Sequence, residues 1–168
     1  MSRRAGLAAA LMLRFTVYGE AQPQGSAKAF IPKGWARPVI TSDNRSLRSW
    51  RQLVAEGANQ ALGALPAVER ALLVEGVRLS IAFYLPRPKS LPKRATAHTK
   101  KPDLDKLVRS CCDSLTAIVF RDDSQVCELV AVKHYAADQQ PPRVDICVEA
   151  TAGTVPLVRD QPLFAGVR

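Results

Sequence analysis

Cys-x-x-Cys pairs, grouped histidines and long apolar runs are all missing from this chain, and each absence removes a class of protein. The four cysteines, Cys111, Cys112, Cys127 and Cys147, form no Cys-x-x-Cys pair, and His98 and His134 each stand alone. That spacing argues against a zinc site and offers no disulfide framework. The cysteines fall on apolar-face positions and read as small buried hydrophobes in a reducing compartment, hence a cytoplasmic protein. No stretch reaches the roughly 18 consecutive apolar residues of a membrane span. No basic helix with bulky apolar anchors points to a membrane surface. Arg3-Arg4 followed by Ala5 to Leu13 imitates a secretory signal, but the run is short, lacks a clear cleavage site and flows straight into Phe15-Thr16-Val17. It reads as a mobile leader or an early strand.

Acidic residues are also scarce, with 15 Asp and Glu against 24 Lys and Arg. The formal net charge of +9 favours a polyanionic partner, and nucleic acid is the default. The 168 residues, 47% of them hydrophobic, are enough for one globular domain with a proper core. No internal repeat is visible. We expect a leader at 1–13, one folded domain at 14–150 and a tail at 151–168, where apolar residues recur without period.

Hydrophobic periodicity organises the rest. Arg14 to Tyr18 is a first strand, ended by Gly19, and Gln22 to Ser26 is a loop. Two short strands at 29–31 and 38–40 flank Lys33-Gly34-Trp35 as a hairpin. Its basic residues Lys28, Lys33 and Arg37, mixed with Phe30 and Trp35, suit nucleic-acid contact; an ordinary hairpin with its Trp tucked onto the core is the equal alternative. Asp43 or Ser46 can cap a helix running to about Leu62, with Leu47, Trp50, Val54, Ala58 and Ala61 on its buried face. Arg45, Arg48 and Arg51 line another side, as a phosphate-tracking edge or a solvated face. Val77 to Tyr84 alternates as a half-buried strand. Val126 to Tyr135 and Val144 to Glu149 are two further strands, expected to pair antiparallel across the turn at 138–142. The expected architecture is mixed α/β (α+β), one small domain in the order β-β-β-α-β-α-β-β.

The chemistry concentrates between Lys100 and Val126. Leu104, Leu107, Val108, Cys111, Cys112 and Leu115 recur at the spacing of one helix face. Pro102 disfavours helix at Lys101, so the helix begins just after it, with Asp103 as an N-cap accepting hydrogen bonds from first-turn amides. Two residues apart within a helix point about 200° apart. With Asp103 extended at the cap and Asp105 in the first turn, the two carboxylates can approach. Asp105, Arg109 and Asp113 then run along one polar stripe. The helix ends near Thr116, and the turn Arg121-Asp122-Asp123-Ser124 can bring Asp122 or Asp123 back towards its start. Three carboxylates at one point repel unless a cation sits between them. Hard oxygen donors with no His or Cys among them suit Mg²⁺, or Mn²⁺ as a substitute. A cap and an ordinary acidic turn are the plain alternative.

The preceding loop, Pro86 to Lys101, holds Arg87, Lys89, Lys93, Arg94, Lys100 and Lys101 and no acid. Pro86, Pro88 and Pro92 keep it extended. A solvated linker needs no such sign bias, so it reads as a phosphate-binding segment leading to Asp103.

Three linked blocks, Lys101-Pro102-Asp103-Leu104-Asp105-Lys106-Leu107, Asp113-Ser114-Leu115 and Asp122-Asp123-Ser124-Gln125-Val126, followed by Lys133, resemble the RusA family of Holliday-junction resolvases. The start, Phe15 to Gly19 followed by Pro23, resembles it more weakly. The resemblance implies that Asp103, Asp105 and Asp123 are metal-binding catalytic carboxylates. It places Lys106 where the family has Asn and Arg109 where the family has its catalytic Lys. Arg is no acid at neutral pH but can stabilise phosphate charge by a bidentate contact, and Lys106 can supply the missing ammonium. Lys89, Lys93, Arg94, Lys100, Lys101 and Lys133 are the expected DNA contacts. The implied activity is Mg²⁺-dependent resolution of four-way DNA junctions by paired symmetric nicks, in recombination and repair, in a bacterial or phage-infected cell. A homodimer is implied too: a four-way junction has two-fold symmetry, and a two-fold dimer presents two matched sites. A nuclease acting on flaps, forks or other branched DNA, and a DNA-binding module without catalysis, are the alternatives.

Overall fold

The structure is a computed structural model and describes residues 12–25, 27–37, 39–42, 45–92, 94–95 and 97–151. Its elements follow the expected order: β1 (Met12–Tyr18), β2 (Ala27–Phe30), β3 (Val39–Ser42), α1 (Leu47–Gly63), β4 (Val77–Leu85), α2 (Leu104–Leu115), β5 (Val126–Tyr135) and β6 (Arg143–Ala150). This is a mixed sheet with two helices in one small α+β domain. The proposed leader and tail, apart from their innermost residues, lie outside the described residues. Met12 and Leu13 belong to β1, paired with Glu149 and Val148, because Leu13 is a core residue.

The four-stranded sheet has the order β1-β6-β4-β5, and β2-β3 form a separate two-stranded sheet. β4 pairs antiparallel with β6 and parallel with β5. The expectation that β5 and β6 are antiparallel neighbours is therefore wrong, since β4 lies between them. The reason is in β4 itself. It is not half-buried as its alternation predicts: Ser80 and Ala82 are as buried as Leu79, Ile81 and Phe83. A strand buried on both faces belongs inside a sheet, and α2 supplies the crossover that a parallel pair requires.

α1 packs on β1 and α2, and α2 packs on β5. The buried face of α1 is Leu47, Trp50, Val54, Ala58 and Leu62, with Ala61 at its margin. Ser46 is its N-cap but makes no side-chain capping bond, and Asp43 lies outside the described residues. In α2, Leu107, Val108, Cys111 and Leu115 enter the core, with Leu104 and Cys112 partly buried against it. Ser110 and Ser114 are buried as well, and their hydroxyls donate back to the carbonyls of Leu107 (2.8 Å) and Ser110 (2.6 Å). Those bonds satisfy polar atoms that would otherwise penalise burial.

Candidate active site at the entrance of the second helix

The segment leading into α2 is fastened to the end of β5. Ala97 bridges His134, and the His98 amide donates to the Lys133 carbonyl at 3.1 Å. The Lys133 ammonium reaches back and donates to the carbonyls of Lys100 (2.8 Å) and Pro102 (2.6 Å). The His98 ring stacks at 4.4 Å on Tyr135. Burial, then the neighbouring Lys133 charge, holds the His98 imidazole below its usual range, so it is neutral at neutral pH. Lys133, an expected DNA contact, thus has its ammonium engaged by the backbone just ahead of Asp103.

Asp103 is the N-cap of α2, extended at φ −71 and ψ 140, as expected. The expected capping bond is not made: its carboxylate accepts nothing from the first-turn amides. Its cationic neighbour is Lys106, at 3.7 Å. Asp105 follows in the first turn, exposed, with Arg109 exposed one turn on. The other acids of the motif are committed elsewhere. Asp113 pairs with Arg51 at 3.2 Å, locking α2 to α1. That pair removes Arg51 from the arginine edge of α1. Asp122 accepts from the Ser124 amide at 2.9 Å and closes a capping box with Gln125. Hydrogen bonding from Ser124 holds the Asp122 carboxyl below its usual range. Asp123 is left exposed beside it.

Among the described residues, Asp105 and Asp123 are the acids of the motif that no other side chain engages, Asp103 faces Lys106, and the oxygens of all three have the chemistry of a hard-cation site. They are not drawn together as the sequence leads one to expect. Among the described residues, no three His, Cys, Asp or Glu side chains are grouped closely enough to hold a metal ion. Asp123 lies towards the second half of α2, where its charge, after burial, helps push the Cys112 thiol up to about 11. Cys112 is seven residues beyond Asp105, about 10 Å along the helix axis.

The basic loop divides by role. Arg87 turns inward, donating to the carbonyls of Ala95 (2.8 Å) and Pro92 (2.6 Å). Lys89, Arg94, Lys100 and Lys101 are exposed, and Lys93 lies outside the described residues. Sequence reading missed a cleft of about 500 Å³ beside Asp103 and Lys106, walled by Gln22, Pro23, Gln24 and Lys101. The Gln24 amide donates to the Lys106 carbonyl at 2.9 Å, tying that wall to α2. Among the described residues, the Gln24 Oε1 is buried without a partner. Pro23 was the one available signal for this wall.

The family model described as "Endodeoxyribonuclease RusA" matches residues 20–149. The match runs from the cleft wall through α2 and the turn at Asp122-Asp123 to β6. "Uncharacterized protein YqaN" of Bacillus subtilis (strain 168) is 30% identical over 146 residues, covering 81% of this chain and 94% of the relative. With the ordered acidic blocks and the basic loop falling inside the matched span, the chain belongs to the RusA family of endodeoxyribonucleases.

Proposed function

We propose that this nuclease resolves four-way DNA junctions by paired symmetric nicks, as a divalent-metal-dependent homodimer in the cytoplasm, with its activity carried by residues 14–150. The observation that carries the reading is the division of labour among the acids. Asp113 and Asp122 are spent on structure, while Asp103, facing Lys106, and Asp105 stand at the end of a cationic loop and Asp123 is exposed on the turn beyond α2. Asp103 and Asp105 would hold Mg²⁺ or Mn²⁺, with Asp123 joining them once its turn moves towards the helix entrance. When bound, the cation supplies Lewis-acid stabilisation of the scissile phosphate and an activated water.

The chain's own residues do the rest. Lys133 holds the backbone that presents Asp103. Lys106 and Arg109 offset charge developing on the phosphorus, Arg109 by electrostatics alone because a guanidinium keeps its proton. Lys89, Lys93, Arg94, Lys100 and Lys101 hold the strand by its phosphates.

A DNA-binding module without catalysis is the second reading, favoured by the separation of Asp123 from the helix entrance. One experiment separates the two. A synthetic mobile junction, a fork, a flap and a linear duplex are each incubated with the protein, with and without Mg²⁺. Paired nicks in the junction alone, only with metal, support resolution. Cutting of the fork or flap as fast as the junction replaces it with a broader branched-DNA nuclease, and binding without any cutting leaves the module.

A further inference from the structure

The hairpin of β2 and β3 forms a sheet of its own, apart from the four strands that carry the site. Its turn is built to a pattern. The Trp35 amide donates to the Pro32 carbonyl at 3.0 Å, and Gly34 takes φ 89. That positive φ is what a type II turn requires at its third residue, and glycine adopts it without strain. The turn leaves Ile31 and Trp35 each 63% exposed, whereas Trp50, the chain's other tryptophan, is 2% exposed in the core. Lys33 and Arg37 are exposed on either side of Trp35. From Ala27 to Ser42 the sequence holds three cations and no acid.

An exposed indole between cations, at the turn of a two-stranded sheet of its own, is a surface suited to a partner that is both anionic and flat-faced. Nucleic acid has both properties, and every base offers a π-face on which an aromatic ring can stack. Within a linear duplex those faces are covered by their neighbours. At a branch point the stacking is interrupted, so a face becomes available to a wedge.

We propose that the 31–37 turn places Trp35 against a base exposed at the branch point, while Lys33 and Arg37 hold the flanking phosphates. The hairpin is then the element that tells branched DNA from linear DNA. This rests on the branched-DNA reading above but not on cleavage, so it is tested in EDTA, where loss of catalysis has no effect.

The probes are a four-way junction carrying 2-aminopurine at the branch and a linear duplex carrying it at the same sequence position. On binding the wild-type protein, we expect the branch fluorophore to be quenched and the duplex fluorophore to be unchanged. Trp35→Ala should abolish that quenching and weaken junction binding on the order of tenfold, with duplex binding within about twofold. Trp35→Phe should retain most of both. Junction binding should also shield the exposed tryptophan of the wild-type protein from acrylamide, a readout that needs no variant. The proposal is overturned if Trp35→Ala keeps the wild-type junction-to-duplex ratio, if it weakens both substrates equally, or if junction binding leaves acrylamide quenching unchanged. Failure to cut in Mg²⁺ with the fluorescence responses intact would instead count against the nuclease reading alone.

Discussion

The Lys133 ammonium donates to the Pro102 carbonyl at 2.6 Å, one residue ahead of the carboxylate of Asp103. A second bond, to Lys100, makes the contact two-pointed. Hydrogen bonds from a charged donor contribute roughly 1.5–3 kcal/mol, enough to hold this segment in one place. Displacing a reacting group by about 1 Å can reduce a rate around 100-fold. We therefore expect Lys133→Met to lower kcat by roughly 100-fold with KM for a junction nearly unchanged. A lysine that contacts phosphate behaves differently, because its loss reduces the slope of log affinity against log salt by about 0.9. An unchanged slope with reduced kcat identifies Lys133 as a positioning residue; a reduced slope with unchanged kcat makes it a DNA contact.

Replacing the acids one at a time separates the two groups. Asp103→Asn, Asp105→Asn and Asp123→Asn should each reduce junction cleavage by at least about 100-fold with little change in the thermal midpoint, since all three carboxylates are exposed and only Asp103 has an ion pair, a surface one with Lys106. Asp113→Asn breaks the contact with Arg51 and should lower stability by about 0.5 kcal/mol, the range of a partly exposed pair, while cleavage persists. Single-turnover rates beside melting curves would show the contrast, and full cleavage by Asp123→Asn would remove that residue from the site.

The thiols should divide by burial. Burial raises the Cys111, Cys112 and Cys147 thiols, for Cys112 to about 11. Cys127 is exposed. A disulfide reagent at pH 8 should label one thiol rapidly in the native protein, and Cys127→Ser should abolish that phase. The raised thiols also give stability a sign with pH. The folded state keeps protons that unfolded thiols release near 8.5. Their contribution is complete below that value and is lost as pH rises towards 11. Denaturant midpoints measured between pH 8 and 11 should fall.

The core under the site is equally open to test. Leu107 is fully buried between α2 and the sheet, and Leu107→Ala should destabilise by about 2–5 kcal/mol through lost burial and the cavity left behind. Urea unfolding monitored by Trp50 fluorescence, in a Trp35→Phe background, would measure it.

Local patterns carried most of what could be read from the chain. α2 and its start after Pro102 follow from periodicity and proline sterics, and the element order follows from alternating apolar segments. The neighbour of a strand is a different matter. β5 lies beside β4, which is buried on both faces, and that burial arises only in the assembled tertiary structure. Side-chain roles were hidden for the same reason. Lys133 lies more than thirty residues from the carbonyls it holds, and nothing local distinguishes it from a lysine facing phosphate. Asp113 carries the same charge as Asp123, and only the arrival of Arg51 tells them apart, whereas the capping box of Asp122 with Gln125 is local and was legible in the Asp-x-x-Gln spacing. The hairpin kept its two readings open because the exposure of Trp35 depends on where the ribbon stands relative to the core.

Arg87 belongs to the basic loop by sequence, yet its guanidinium is folded inside it, forked between the carbonyls of Pro92 and Ala95. Folding therefore ties the start of the proline-rich strap, from Arg87 to Pro92, back on itself before any polyanion arrives. A strap shaped in advance surrenders less conformational freedom on association. Lys89, exposed on that closed turn, favours a backbone whose phosphates come to the same place.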